Sequence, residues 1–169
     1  TNNLSLEYRK KLAAKAFRHT AYYDSLISNY FTDDLFTEKL TIGFKKISEL
    51  RYGENSHQKA SLYQISDFRL QTSDLSKIKQ LQGKGLSYNN YLDLDAAWSL
   101  VNEFKNTACV IVKHNNPCGV SEGKTLIDVY KNALSCDPVS AFGSIIGFNQ
   151  PVDDKTAQEL VKLFVECII

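Results

Sequence analysis

The sequence predicts an α/β fold with a mainly parallel sheet, preceded by N-terminal helices. Three observations carry this. Ala108–Val112 is an unbroken apolar run with two valines and an isoleucine, the pattern of a parallel strand covered on both faces. From residue 93 onward strand and helix patterns alternate, the order from which layered α/β units are built. Residues 5–31 contain neither Gly nor Pro and repeat apolar residues at helical spacing.

Taken in order, Leu12 with Ala16, then Tyr23, Leu26, Ile27 and Tyr30, mark the packing face of the N-terminal helical region. Thr20 can cap a second helix there, so one helix or two remain open. Alternation at Leu40, Ile42 and Phe44 suggests a strand within 39–50. The polar stretch 51–59 follows as a loop, and Ser61–Ile65 as another short strand. Gly83, Gly85 and the pair Asn89-Asn90 give the segment 81–91 the character of turns. A helix is expected from Asp93, with Ala96, Ala97, Leu100, Val101 and Phe104 on one face. After the strand 108–112 the segment 113–124, KHNNPCGVSEGK, reads as a loop leading to a helix near 125–135. A strand at 144–149 then passes through Pro151 to a helix capped by Asp153 and ending near Phe164. Residues 165–169 read as the beginning of a further strand, which suggests a fragment of a longer domain.

Composition narrows the function classes. The 169 residues, 43% hydrophobic and 23% charged, are ordinary for a globular protein of roughly one domain. A formal net charge of +1 offers no whole-molecule attraction to nucleic acid or an anionic membrane, so any anion site must be local. The cysteines at 109, 118, 136 and 167 form no C-x-x-C pair, as expected of reduced thiols in the cytoplasm. The polar start lacks the apolar core of a signal peptide, and no apolar run approaches the ~20 residues of a spanning helix.

The most informative polar stretch is Lys113-His114-Asn115-Asn116-Pro117-Cys118-Gly119, at the end of a buried strand, where open α/β sheets bind ligands. Adjacent strand residues point to opposite faces, so Lys113 and His114 share a site only if the pleat breaks there. A histidine exchanges protons near neutral pH, and a lysine beside it can stabilise developing negative charge. The plainer alternative is that Lys113 caps a carbonyl and His114 is an ordinary polar residue. A zinc deaminase is also weighed, from His114 and Cys118. Against it, Asn116 stands where a catalytic Glu belongs, and no second Cys completes the pair. In the cluster 51–58, Arg51 can hold phosphate or carboxylate, and Tyr52 can stack on a heterocycle. Gly143 lies in a turn that lets backbone approach a ligand, although no Walker or dinucleotide pattern is present. A non-catalytic nucleotide-binding module, with these motifs serving only as packing and turns, is the third reading.

In order and spacing these segments resemble the AICAR transformylase/IMP cyclohydrolase family over nearly the whole chain. The landmarks are Leu50-Arg51-Tyr52-Gly53-Glu54-Asn55, Leu86-Ser87-Tyr88-Asn89-Asn90, Lys113-His114 with Asn116-Pro117-Cys118-Gly119, and Ser140-Ala141-Phe142-Gly143. Ser56 and Ser144 depart from the family pattern, where Pro and a second Gly are usual. The resemblance implies formyl transfer from 10-formyltetrahydrofolate, as co-substrate, to the AICAR nucleotide, with no metal in the chemistry. It assigns catalysis to Lys113 and His114, and nucleotide binding to Arg51, Tyr52 and Gly143. It implies a three-layer, cytidine-deaminase-like unit and a cytoplasmic homodimer with shared active sites. Residues 1–36 would be a helical linker from a preceding cyclohydrolase domain, and 37–169 the first half of the transformylase domain, inactive when alone.

Overall fold

The computed structural model describes residues 4–34, 36–65, 75 and 78–169. Contacts group the chain into two units, Thr1–Ser48 with Ser61–Ser76, and Glu49–Ala60 with Lys77–Ile169.

In the first unit, α1 (Leu6–Tyr30) is one uninterrupted helix. The hydroxyl of its N-cap, Ser5, accepts the Tyr8 N–H at 3.2 Å, and Glu7 and Lys11 pair one turn apart. Thr20 starts no second helix; its hydroxyl donates to the Phe17 carbonyl. The expected packing face is largely exposed: Leu12, Tyr23, Ile27 and Tyr30 face solvent, while Ser25 and Asn29 are buried. Asn29 Nδ2 donates to the Thr41 carbonyl at 3.1 Å, so a polar anchor holds the segment after the helix. β1 (Phe44–Glu49) pairs with β2 (Ser61–Ile65), and the alternation beginning at Leu40 becomes strand only from Phe44.

The second unit is built on a four-stranded sheet in the order β4-β3-β5-β6. Its strands are β3 (Thr107–Lys113), β4 (Asn116–Gly123), β5 (Ile145–Phe148) and β6 (Cys167–Ile168). The side chains of β3 alternate between two cores. Ala108, Val110 and Val112 pack with Leu94, Ala97 and Val101 of α2 (Tyr88–Val101). Cys109 and Ile111 pack with Val129, Tyr130 and Ala133 of α3 (Leu126–Cys136), and with Leu160 of α4 (Asp154–Leu160). Helices therefore cover both faces of the sheet. Each fully buried Val or Ile contributes roughly 1.5–3 kcal/mol. Among the described residues no helix is long and apolar enough to cross a membrane.

The sheet is not mainly parallel. β3 runs antiparallel to β4 and to β5, and only β5 and β6 are parallel neighbours. The cause is β4, in the stretch expected to be a loop. Without it, β3 and β5 would be joined through α3 as a parallel pair. With it, the crossover through α3 starts from β4, so β4, β5 and β6 share a direction and β3 opposes them. The residues that resemble a loop are permitted by position. Pro117 lies on the edge strand, where a missing donor costs no ladder bond. Cys118 is an extra residue at a bulge, between Pro117, which pairs with Val112, and Gly119, which pairs with Ile111. At Gly119 an added Cβ would collide with the Ala133 carbonyl of α3, so only glycine admits that helix.

Two boundaries also move. α2 begins at Tyr88, five residues before the expected start, because Ser87 and Asn90 form a capping box. α4 stops at Leu160 rather than near Phe164. Asp153 does cap it, Oδ1 accepting the Thr156 N–H at 2.7 Å.

Gly119→Ala is expected to destabilise the protein by about 3 kcal/mol, the upper end for overpacking against a backbone that has no rotamer to change. Chemical denaturation checks this; an unchanged midpoint would mean that α3 can lift off β4 without cost.

Candidate active site

The hairpin between β3 and β4 turns on two residues, His114 and Asn115, flanked by the pair Lys113 and Asn116. Both central residues have positive φ, 53° and 63°. That is the signature of a type I′ turn, whose twist matches the flanking strands. Asparagine tolerates this region, whereas histidine at positive φ is uncommon and costs on the order of 1–3 kcal/mol. The pleat therefore does break at His114, and the histidine is carried on the tip of the hairpin.

His114 lines a cavity of about 400 Å³ together with Tyr52, Asn90, Asp93 and Gly143. This volume falls within the range of small-molecule sites. One wall is the start of α2. The Asn90 side-chain oxygen accepts from the Ser87 N–H at 3.0 Å and the Ser87 hydroxyl at 2.9 Å, both buried. Asp93, three residues further along and on the same side of the helix, accepts the Asn115 N–H at 2.6 Å.

A second wall is the loop 50–60, tied to the start of α2 and the residues just before it by backbone bonds from Arg51 N–H to the Leu86 carbonyl and from Tyr88 N–H to the Tyr52 carbonyl. Within it Gly53 and Gln58 close the turn, and Asn89 Nδ2 donates to the Glu54 carbonyl. The Arg51 guanidinium lies 4.9 Å over the Tyr52 ring. Its Nη2 reaches the Tyr52 hydroxyl at 3.3 Å and Asn90 Oδ1 at 3.4 Å. These are long contacts, which leave most of its five donors available.

The third wall is the turn after α3. Asp137 starts it, Oδ1 accepting the Ser140 N–H at 2.9 Å; hydrogen bonds from Ser140 hold this carboxyl below the usual range. The turn ends at Gly143, where φ is 70° and the N–H donates to the Phe164 carbonyl at 2.8 Å. Lys113 Nζ donates to the Phe142 carbonyl at 2.7 Å. Lys113 thus does cap a carbonyl, and that carbonyl immediately precedes Gly143.

Of the five residues singled out in the sequence, Tyr52, His114 and Gly143 line the cavity. Arg51 and Lys113 are outside the lining and reach it through the neighbours just named. Asn90, Asp93 and Glu166 also line it, without having been singled out as site residues in the sequence. For Asn90 the signal was available, a Ser three residues ahead of a side chain able to return the bond. Asp93 had no such signal, because its partner is a backbone N–H remote in sequence. Near Glu166, burial pushes the Cys167 thiol up and the Glu166 carboxylate adds to this, opposed by Arg51. Burial likewise raises Cys118, on the face shared with Lys113 and Asp137. Among the described residues no group of three or more His, Cys, Asp and Glu side chains is arranged to hold a metal ion.

The model of the AICARFT/IMPCHase bienzyme family matches residues 1–169. The bifunctional purine biosynthesis protein PurH of Persephonella marina is 51% identical over 170 residues, covering 98% of this chain and 33% of that protein. That of Caldicellulosiruptor saccharolyticus is 48% identical over 171 residues, covering 99% and 33%. For that of Fusobacterium nucleatum the identity is 47% over 169 residues, covering 100% and 33%. The chain spans about a third of the length of these relatives. With a family model matched along every residue and relatives identical at about half their aligned positions, the chain belongs to the AICARFT/IMPCHase bienzyme family.

Proposed function

We propose that this chain supplies part of the active site that transfers a formyl group from 10-formyltetrahydrofolate to the AICAR nucleotide in purine biosynthesis. The observation that carries the reading is the placement of His114 on a strained hairpin tip, in a cavity shared with Tyr52 and Gly143. The 5-amine of AICAR attacks the formyl carbon, forming an N–C bond. The tetrahedral intermediate collapses by breaking the bond to the folate nitrogen, which takes up a proton. That amine is a poor nucleophile because its lone pair delocalises into the ring and carboxamide. His114 removes its proton as attack proceeds, directly or through the carboxamide. Lys113 holds the Phe142 carbonyl with one N–H and keeps two more for the oxyanion or the leaving nitrogen. Arg51 binds the anionic part of the nucleotide, with Tyr52 and the Gly143 backbone beside it.

The rest of the proposal follows from family membership. The folate is a co-substrate and the chemistry uses no metal. The transformylase unit is cytidine-deaminase-like, and the enzyme is a cytoplasmic homodimer in which both subunits furnish each active site. Residues 1–36 form the helical connection from a cyclohydrolase domain, and 37–169 the first half of the transformylase domain. Ring closure to IMP belongs to the complete protein.

The reading is tested in the complete protein by steady-state formyl transfer. His114→Ala is expected to lower kcat by about 10²-fold or more, the usual scale for a positioned acid–base group. An unchanged kcat in a folded variant would return His114 to an ordinary turn residue.

Arg51→Ala is expected to raise the KM for AICAR more than it lowers kcat, because an arginine gripping an anion equally in ground and transition states contributes uniform binding. A fall in kcat at constant KM would make Arg51 part of the chemistry instead.

Lys113→Ala is expected to reduce kcat about 10²- to 10³-fold, the scale of losing one oxyanion donor. Lys113→Arg separates its two roles. A near-normal rate would mean that positive charge suffices, and a dead enzyme that lysine delivers a proton.

A further inference from the structure

We infer that Asp93 and Asn116 are positioning residues for His114, acting together as a clamp on the peptide group that joins His114 to Asn115. The inference rests on the reading of His114 as the acid–base group. Both polar atoms of this one peptide are held by side chains. Its N–H, from Asn115, donates to Asp93 Oδ1 at 2.6 Å. Its carbonyl, from His114, accepts from Asn116 Nδ2 at 2.8 Å.

The plane of a peptide sets ψ of the residue before it and φ of the residue after it. In a two-residue hairpin those angles separate the two favoured turns. Type I′ has positive φ at both central residues, whereas type II′ has it only at the first. Rotating the central peptide of His114-Asn115 interchanges the two turns, and carries the carbonyl and the N–H to opposite faces. Asp93 offers only an acceptor and the Asn116 amide nitrogen only a donor, so the rotated peptide loses both bonds. Positive φ at both His114 and Asn115 is the outcome this clamp selects.

The two halves of the clamp come from different elements. Asn116 is the first residue of β4 and travels with the hairpin. Asp93 belongs to α2, whose first turn is fixed by the Ser87–Asn90 box. The helix forming one wall of the cavity thereby sets the orientation of the histidine entering it. A type I′ turn at these two residues could form in an isolated hairpin; its registration against the cavity could not, and that is what Asp93 adds.

The test uses formyl transfer by the complete protein. Asp93→Ala and Asn116→Ala are each expected to lower kcat about 10- to 100-fold, the scale of misplacing a catalytic group by around an ångström, with little change in the KM for AICAR. Asp93→Asn keeps an oxygen able to accept the Asn115 N–H, and is expected to recover most of the rate. Placed in a His114→Ala background, neither alanine substitution should cost more, since each acts through the missing imidazole. Asn116→Ala leaves α2 untouched and serves if Asp93→Ala does not fold. The clamp is overturned if Asp93→Ala turns over normally, if Asp93→Asn is as slow as Asp93→Ala, or if the losses add to that of His114→Ala. Should His114→Ala alone leave kcat intact, the catalytic reading fails rather than the clamp. The Asn115 amide proton then decides: its NMR resonance must move upfield in Asp93→Ala, and a resonance that stays in place overturns the clamp.

Discussion

Two strands joined by two residues have no choice of direction, so β4 must return beside β3. That connection at His114-Asn115 governs the second unit. It makes β4 the strand from which the crossover through α3 departs. It leaves β3 as the one strand running against its neighbours, buried on both faces. It also ends the pleat at the residue whose side chain enters the cavity. A longer connection would leave β4 antiparallel to β3 but would spare the chain two consecutive non-glycine residues at positive φ.

What was legible in the sequence follows the range of the interactions involved. The buried strand around Val110, the helix α3 and the Asp153 cap were readable, since each depends on neighbours within a few residues. β4 was not, because Asn116-Pro117-Cys118-Gly119 looks like a loop until the edge position excuses Pro117 and the carbonyl of Ala133 demands Gly119. The apolar residues of α1 misled in the opposite sense, since helical periodicity records an apolar stripe without saying what covers it. Here the buried contacts of that helix are polar, through Ser25 and Asn29. The site divides in the same way. Among the lining residues, His114 and Tyr52 stand out in the sequence by their chemistry, whereas Asp93 meets its partner, the Asn115 N–H, only in the fold.

The near-neutral net charge of the chain requires any anion site to be local, and Arg51 is a local charge held beside the cavity. Its guanidinium is steadied by the face of Tyr52 and by two long contacts, to the Tyr52 hydroxyl and Asn90. Neither contact is short enough to satisfy a donor fully. The group is oriented while most of its donors stay available. Asn90 is a suitable anchor because its oxygen is already fixed by the buried Ser87 hydroxyl and N–H, so that arginine, cap and helix share one acceptor.

Lys113 and His114 are adjacent in sequence but are presented by different devices. Lys113 is the last paired residue of β3, on the side of the sheet that carries Ile111, and its charge is felt by Cys118 and Asp137. Its ammonium ends on the Phe142 carbonyl and so braces the turn that delivers Gly143. His114 leaves the sheet altogether, its backbone held by Asp93 and Asn116. His114 thus lines the cavity from the α2 side, whereas Lys113 stays outside the lining and braces the turn to Gly143 from the α3 side. Strand alternation alone would have kept the two apart, with one on each face. Ending the strand between them, with a turn that only positive φ allows, is what carries His114 into the cavity while Lys113 braces one of its walls.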